Sequence, residues 1–153
     1  MLTDHKELIT WLNRIATTVS TPRKERVFAT LSSAQFREGL QQIIARGFNR
    51  LITITGYDTG THIELIYHLV RENTVISIKT YVVKKTAKHP TISDLLPNAT
   101  LYEQEVHELF GINFQGHPDL APLLLPDNWP PHVYPLRKDW SLSALAKKLK
   151  ESH

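Results

Sequence analysis

The sequence predicts an α+β fold: an antiparallel meander sheet with helices packed mainly on one face, followed by a long Pro-rich docked C-terminal segment. Three observations point there. The runs Arg50–Tyr57, His62–Val70 and Val75–Val83 alternate apolar and polar residues and are separated by only a few turn-forming residues. Two segments ahead of them repeat apolar residues at helical spacing instead. Six of the nine prolines, Pro118, Pro122, Pro126, Pro130, Pro131 and Pro135, stud the stretch from Tyr102 to Trp140, which is otherwise rich in apolar residues.

Taken in chain order, Thr3 or Asp4 is placed to cap a first helix, with Leu8, Trp11, Leu12, Ile15 and Val19 on one face and Pro22 just past its end. Glu25–Leu31 reads as a strand. Ser32 with Gln35 fits a capping box, Phe36, Leu40, Ile43 and Ile44 follow on one helical face, and Gly47 suits the stop. The three-strand meander comes next, with Ile52/Ile54, Ile63/Leu65/Tyr67/Leu69 and Ile76/Ile78/Val82 facing the core. A basic turn carrying Lys84, Lys85, Lys88 and His89 leads to a short helical piece around Ser93–Leu96. A helix from about Asn98 to Phe110 follows, stopped by Gly111, and Ser141–Lys150 reads as a short final helix that frays. The expected organisation is 1–111 as the α+β domain, 112–140 as an extended ribbon and 141–153 as a C-terminal helix or disordered end.

Proline pre-sets φ and removes a backbone donor, so the ribbon is neither regular helix nor central strand. Yet it carries Phe114, Leu120, Leu123, Leu124, Leu125, Trp129, Tyr134, Leu136 and Trp140, too much apolar surface for a solvated linker. A proline-stiffened segment loses less entropy on docking than a flexible one, so this one is built to lie on its own domain or on a partner. Phe110, Phe114, Trp129 and Trp140 are its expected anchors.

Composition narrows the function. At 153 residues and 41% hydrophobic, the polypeptide suits one domain, and its net charge of +3 is too small to argue for nucleic acid. There is no cysteine, which removes disulfides, thiolate ligation of zinc or iron–sulfur clusters, and a cysteine nucleophile. No window approaches the apolar run of about 18 residues that a membrane span needs, and the opening MLTDHKEL lacks a signal-peptide pattern. The expectation is a cytoplasmic protein that meets a membrane only through partners. No G-x-G-x-x-G, P-loop or nucleophile-elbow pattern is present.

Glu103, Glu105, His107 and Glu108 crowd one helix, which invites a metal-dependent hydrolase built on Glu103, Glu105 and His107 with His117 and His132. One helix supplies at most two ligands per face, however, and Gly111 stands where the second histidine of H-E-x-x-H would be. Alternatively the carboxylates form a solvated polar face, or they pair with Arg137 and Lys138 in the ribbon. Lys84, Lys85 and Lys88 could serve a basic-loop nucleic-acid-binding domain, although a solvated loop is the commoner explanation for such a cluster.

Between Tyr102 and Trp140 the residues carry a specific resemblance. Tyr102-Glu103-Gln104-Glu105, Glu108-Leu109-Phe110-Gly111-Ile112-Asn113-Phe114, Gly116-His117-Pro118-Asp119-Leu120, Leu125-Pro126 with Trp129, and Pro135-Leu136-Arg137-Lys138-Asp139 follow one long irregular pattern. That pattern resembles the thirty-kilodalton subunit of NADH:quinone oxidoreductase (respiratory complex I), with related domains in energy-converting membrane-bound [NiFe] hydrogenases. The resemblance implies an accessory, non-catalytic subunit in the peripheral arm, on the cytoplasmic face. It would pack against the large catalytic subunit and an adjacent iron–sulfur subunit. No cofactor is implied on this polypeptide; the clusters and the quinone site or nickel–iron centre belong to neighbours. The motif residues named above, from Tyr102 to Asp139, would be interface residues. Departures are Gln104 for the usual Arg, Glu108 for Asp, Val133-Tyr134 before Pro135 where His is common, and Ala121-Pro122-Leu123-Leu124 for Arg-Arg-Leu-Leu. The lost cations imply a partner surface unlike that of the standard respiratory complex, with a hydrogenase-type assembly as the alternative.

Overall fold

A computed structural model describes residues 5–152; the predicted cap at Thr3 or Asp4 lies outside them. The order is α1 (His5–Ile15), β1 (Thr18–Arg23), β2 (Arg26–Thr30), α2 (Phe36–Ala45), β3 (Arg50–Asp58), β4 (His62–Arg71), β5 (Thr74–Val83), β6 (Lys88–Pro90), α3 (Ala99–Phe110), β7 (Asn113–Gln115) and α4 (Leu142–Glu151). The fold is mixed α+β with a mostly antiparallel sheet.

The meander forms because its alternation matches the strand period. Ile63, Leu65, Tyr67 and Leu69 on β4 face inward beside Ile76 and Ile78 on β5, all with no exposed surface. β4 pairs antiparallel with both β3 and β5, with Tyr67 opposite Ile54 and Ile78. The five-stranded order is β1-β2-β5-β4-β3, and β2 runs parallel to β5. Leu8 and Leu12 of α1, Phe36, Leu40 and Ile43 of α2, and Val106 and Phe110 of α3 join the inward-facing strand residues in one core.

The first helix ends earlier than its spacing predicts. α1 stops at Ile15, and Val19 lies on β1, an edge strand that pairs with β2 and contains Pro22. An edge tolerates a residue with no N–H to donate, and the pairing register shifts between Ser20 and Arg23, where the proline sits. The capping box is also displaced. The Ser32 hydroxyl donates to Gln35 Oε1 (3.1 Å) within a turn, and α2 starts one residue beyond, with Gln35 at its N-cap and no side-chain cap bond. Gly47 does end α2, at φ +91°. Around Ser93–Leu96 there is one turn, closed by Leu96 N–H on the Ile92 carbonyl at 2.8 Å.

Two three-residue strands were not foreseen. β6 and β7 pair in parallel, His89 opposite Phe114. Phe114 and Ile112 thereby enter the core, and His89 is stacked among Phe36, Tyr67 and Phe114 with ring centroids 4.6–6.1 Å apart. Burial pulls the His89 imidazole down to about 4.

Candidate partner-docking site

The end of α3 is where the polypeptide turns back, and Gly111 makes this possible. Its φ of +71° is the left-handed region that glycine enters freely, and its N–H closes on the His107 carbonyl at 2.8 Å. A Cβ here would lie 2.4 Å from the Tyr134 ring, so glycine also admits the returning segment. That segment is fixed through backbone groups: Leu136 N–H donates to the Leu109 carbonyl (3.1 Å) and Arg137 Nε to the Phe110 carbonyl (2.6 Å). Arg137 thus serves the orphan carbonyls of a helix C-terminus, where a cation is favoured, and stacks 4.8 Å over Tyr134.

A second attachment centres on Asp58, which by sequence alone is only a turn residue. Asp58 is 2% exposed at the end of β3. It accepts from the Gly60 N–H (2.8 Å) and the Lys138 N–H (2.8 Å), and pairs with Lys84 Nζ at 2.8 Å. Lys84 also reaches Asp139 at 3.0 Å, so one lysine ties β3, the β5–β6 turn and the ribbon together. Burial works to raise the Asp58 carboxyl, but Lys84 and the two N–H donors outweigh it and bring it down to about 2. Lys84 is therefore committed internally and is not a free cation for a polyanion. Lys138 lays its ammonium 5.2 Å from the Tyr57 ring centroid.

The carboxylates of α3 neither face solvent as a set nor pair with Arg137 and Lys138. Glu108 accepts from the N–H groups of Leu123 (2.8 Å), Leu124 (2.7 Å) and Leu125 (3.3 Å), holding a ribbon turn by its backbone. Glu103 is fully buried and accepts from the Ile92 N–H (2.8 Å) and the Thr91 hydroxyl. Burial raises its carboxyl above the ordinary range, against the pull of Thr91, Ile92 and His117. Glu105 stays half-exposed on the helix, and His107 turns Nδ1 to the Ile112 carbonyl at 2.8 Å. Of the five proposed hydrolase residues only Glu103 and His117 approach each other, 3.8 Å apart with both side chains buried; His107 is turned to Ile112, Glu105 is half-exposed and His132 exposed. Among the described residues, no group of three or more His, Asp or Glu side chains could hold a metal ion.

His117 lies at a turn after Gly116 and reads as a structural residue. Its Nδ1 accepts the Asp119 N–H (3.0 Å), which leaves Nε2–H to donate to the Thr100 carbonyl (3.0 Å) and fixes one tautomer. Asp119 in turn accepts the Ala121 N–H at 2.9 Å. Gln104, in place of the family arginine, donates to the Ala121 carbonyl at 3.3 Å. Tyr102 and Leu120 pack half-buried against the core, while Pro118 is exposed and Pro135 half-buried. Trp129 and Trp140 are half-buried rather than core anchors, and Trp129 Nε1–H donates to the Val133 carbonyl at 2.7 Å. Between α3 and the ribbon lies a cleft of about 380 Å³ lined by His107, Leu120, Leu125, Trp129, Val133 and Tyr134. His132, at φ +60°, borders it.

The resulting surface has a specific character. Its polar groups are spent on backbone, and its large aliphatics face out: Leu123 is 43%, Leu124 59% and Leu136 53% exposed. Of the motif residues, Glu103, Glu108, Gly111, His117, Asp119, Arg137 and Asp139 are internal staples, Phe110, Ile112 and Phe114 lie in the core, and Leu136 faces out. Among the described residues, no helix is long and apolar enough to cross a membrane.

The model of the respiratory-chain NADH dehydrogenase 30 Kd subunit family matches residues 14–145. The protein is 34% identical over 130 residues to NADH-quinone oxidoreductase subunit 5 of Thermus thermophilus, covering 76% of this polypeptide and 62% of that one. It is 37% identical over 91 residues to the C/D subunit of NADH-quinone oxidoreductase from Pseudomonas fluorescens, covering 58% of this polypeptide and 15% of the relative. Among solved structures, it is similar to a component of the membrane-bound sulfane sulfur reductase, an archaeal respiratory membrane complex. There the TM-score is 0.84 and the identity 28%, over 95% of this polypeptide and 91% of that one. A trypsin-resistant fragment of Nqo5 matches with TM-score 0.67 and 27% identity, over 75% of this polypeptide and 98% of the fragment. The protein spans less than two thirds of the length of the Thermus relative. With the family pattern running through nearly all of the folded polypeptide, this protein belongs to the 30 Kd subunit family of respiratory-chain NADH dehydrogenase.

Proposed function

We propose that the protein is an accessory, non-catalytic subunit of a membrane-associated multi-subunit oxidoreductase. It uses the 112–140 ribbon, stapled to the α+β body, to pack against the large catalytic subunit and an adjacent iron–sulfur subunit in the peripheral arm. Electron-carrying cofactors reside in those neighbours, and the protein meets the membrane, at its cytoplasmic face, only through them. One observation carries the reading: Glu108 and Asp58 bind the ribbon's backbone N–H groups, which frees Leu123, Leu124 and Leu136 to project outward. A pre-fixed ribbon with exposed leucines loses little entropy when a partner covers it.

Two kinds of assembly share this subunit, NADH:quinone oxidoreductases and energy-converting hydrogenase-like complexes. Similarity over 95% of the polypeptide to a component of a sulfane sulfur reductase complex supports the second kind, as does Ala121-Pro122 in place of paired arginines. Affinity purification of the tagged protein from native membranes tests the proposal. Stoichiometric recovery of a large catalytic subunit, lost with L123D/L124D, is expected. Recovery only as a free monomer contradicts it.

A further inference from the structure

Glu103 is fully buried at the root of the ribbon, and its hydrogen bonds come from the Ile92 N–H and Thr91 rather than from a cation. The groups facing it lie on several elements. Arg37 of α2 spends its guanidinium on the Asp94 carboxylate and the Thr91 carbonyl. His117 brings Nε2 to 3.8 Å, but that N–H goes to the Thr100 carbonyl. Tyr67 of β4 is buried and uncharged, and His89 of β6, stacked beside it, is neutral. Asp94, held ionised by Arg37, adds a like charge nearby. A lone carboxylate in such a place is costly.

The hydroxyl beside Glu103 offers an arrangement without that charge. Thr91 has one hydroxyl hydrogen and two acceptors at hand, Ser93 Oγ at 2.8 Å and the Glu103 carboxyl. It also accepts the Ser93 N–H at 3.1 Å. With its hydrogen on Ser93, Thr91 meets Glu103 through a proton that Glu103 itself carries, and every group is satisfied with no buried anion. Burial, the largest influence, likewise raises the Glu103 carboxyl. Ser93 is half-exposed, so the two hydroxyls join the carboxyl to solvent.

We propose that Glu103 is a proton-binding site that latches the root of the ribbon: as a neutral acid it donates to Thr91, holds the Ile92 N–H and leaves His117 uncharged. An uncharged His117 keeps Nδ1 as the acceptor of the Asp119 N–H at 3.0 Å. Loss of the Glu103 proton places an anion 3.8 Å from the ring and favours a protonated His117, whose Nδ1 hydrogen collides with the Asp119 N–H. The folded carboxyl lies above its unfolded value, so its contribution is complete below the ordinary glutamate range and is lost as pH rises through the folded value. The inference concerns the isolated protein and stands apart from the subunit reading.

Isotope labelling of the glutamate carboxyl carbons in the full-length protein, followed by NMR across pH, tests it. Expected are a Glu103 signal that titrates above those of the exposed glutamates, and Ile92 and Asp119 amides that exchange roughly tenfold faster, relative to core amides, once that proton is lost. Glu103→Gln, which copies the neutral acid, keeps both amides protected at neutral pH and removes the pH step. A Glu103 signal that titrates with or below the exposed glutamates overturns the inference. So does an E103Q protein that fails to fold or loses that protection at neutral pH, because the charge is then what the fold needs. Wild-type protection that stays flat while Glu103 titrates overturns the latch.

Discussion

Replacing Asp58 with asparagine should loosen the ribbon from the body, and the size of the effect follows from the geometry. The carboxylate is 2% exposed and holds Lys84 and two backbone N–H groups. A carboxyl brought from 3.8 to about 2 contributes roughly 2 kcal/mol of stability at neutral pH. Asparagine keeps one acceptor oxygen, so one of the N–H groups is left unmet, at about 1–3 kcal/mol before water enters. Lys84 retains Asp139, which softens the loss. The sum is about 3 kcal/mol, or a fall of roughly 6–12 °C in Tm for a protein of this size. Because the folded carboxyl lies below its unfolded value, this stabilisation is complete above 3.8 and disappears as the pH falls through 2. The gap between wild type and D58N should therefore narrow in that window. Calorimetry across pH, with trypsin cleavage after Arg137 and Lys138, reads both consequences. A Tm within about 2 °C of wild type, with unchanged cleavage, would refute the staple.

Three further outcomes are expected. Glu108→Ala strands the Leu123, Leu124 and Leu125 amides, so it should cost about 2 kcal/mol and speed their hydrogen exchange relative to core amides; unchanged exchange would show that the carboxylate does not hold the turn. Gly111→Ala meets both the left-handed φ and the Tyr134 ring, so a loss of about 3 kcal/mol, seen by thermal unfolding, is expected, and a neutral effect would mean Tyr134 packs elsewhere. His89, held down to about 4, is neutral in the fold while an unfolded histidine takes a proton near 6.5, so roughly 3 kcal/mol of stability should be lost as the pH drops from 6.5 to 4; His89→Leu should flatten that slope, measured by denaturant titration.

β4 and β5 were legible because their alternation is what burial of one face requires; in β3 the register shifts between Leu51 and Thr53, so Ile52, expected in the core, is 45% exposed and Leu51 is buried with Ile54 instead. β1 was not legible, since its six residues are almost all exposed, include Pro22, and satisfy pairing rather than burial. β6 and β7 are three residues each, too short to show a period. The docking site was legible as a pattern and illegible as a mechanism. Glu103 and Glu108 look like solvated carboxylates by residue type, and apart from Thr91 and His117 beside Glu103 their partners are backbone amides of distant residues, which carry no side-chain signature. Asp58 hid for the same reason: Asp-Thr-Gly announces a turn, and nothing local tells of Lys84 or of the Lys138 amide. The outward leucines of the ribbon were visible in composition, but their exposure depends on those hidden staples.

The claim that this protein shapes and grips its neighbours, leaving electron transfer to them, meets its most direct test in a structure of the complex purified from native membranes. The account predicts Leu123, Leu124 and Leu136 covered by the large catalytic subunit, with the Asp58 and Glu108 staples retained. Those leucines open to solvent in the assembled complex, or a flavin, metal or cluster bound within this polypeptide, would contradict it.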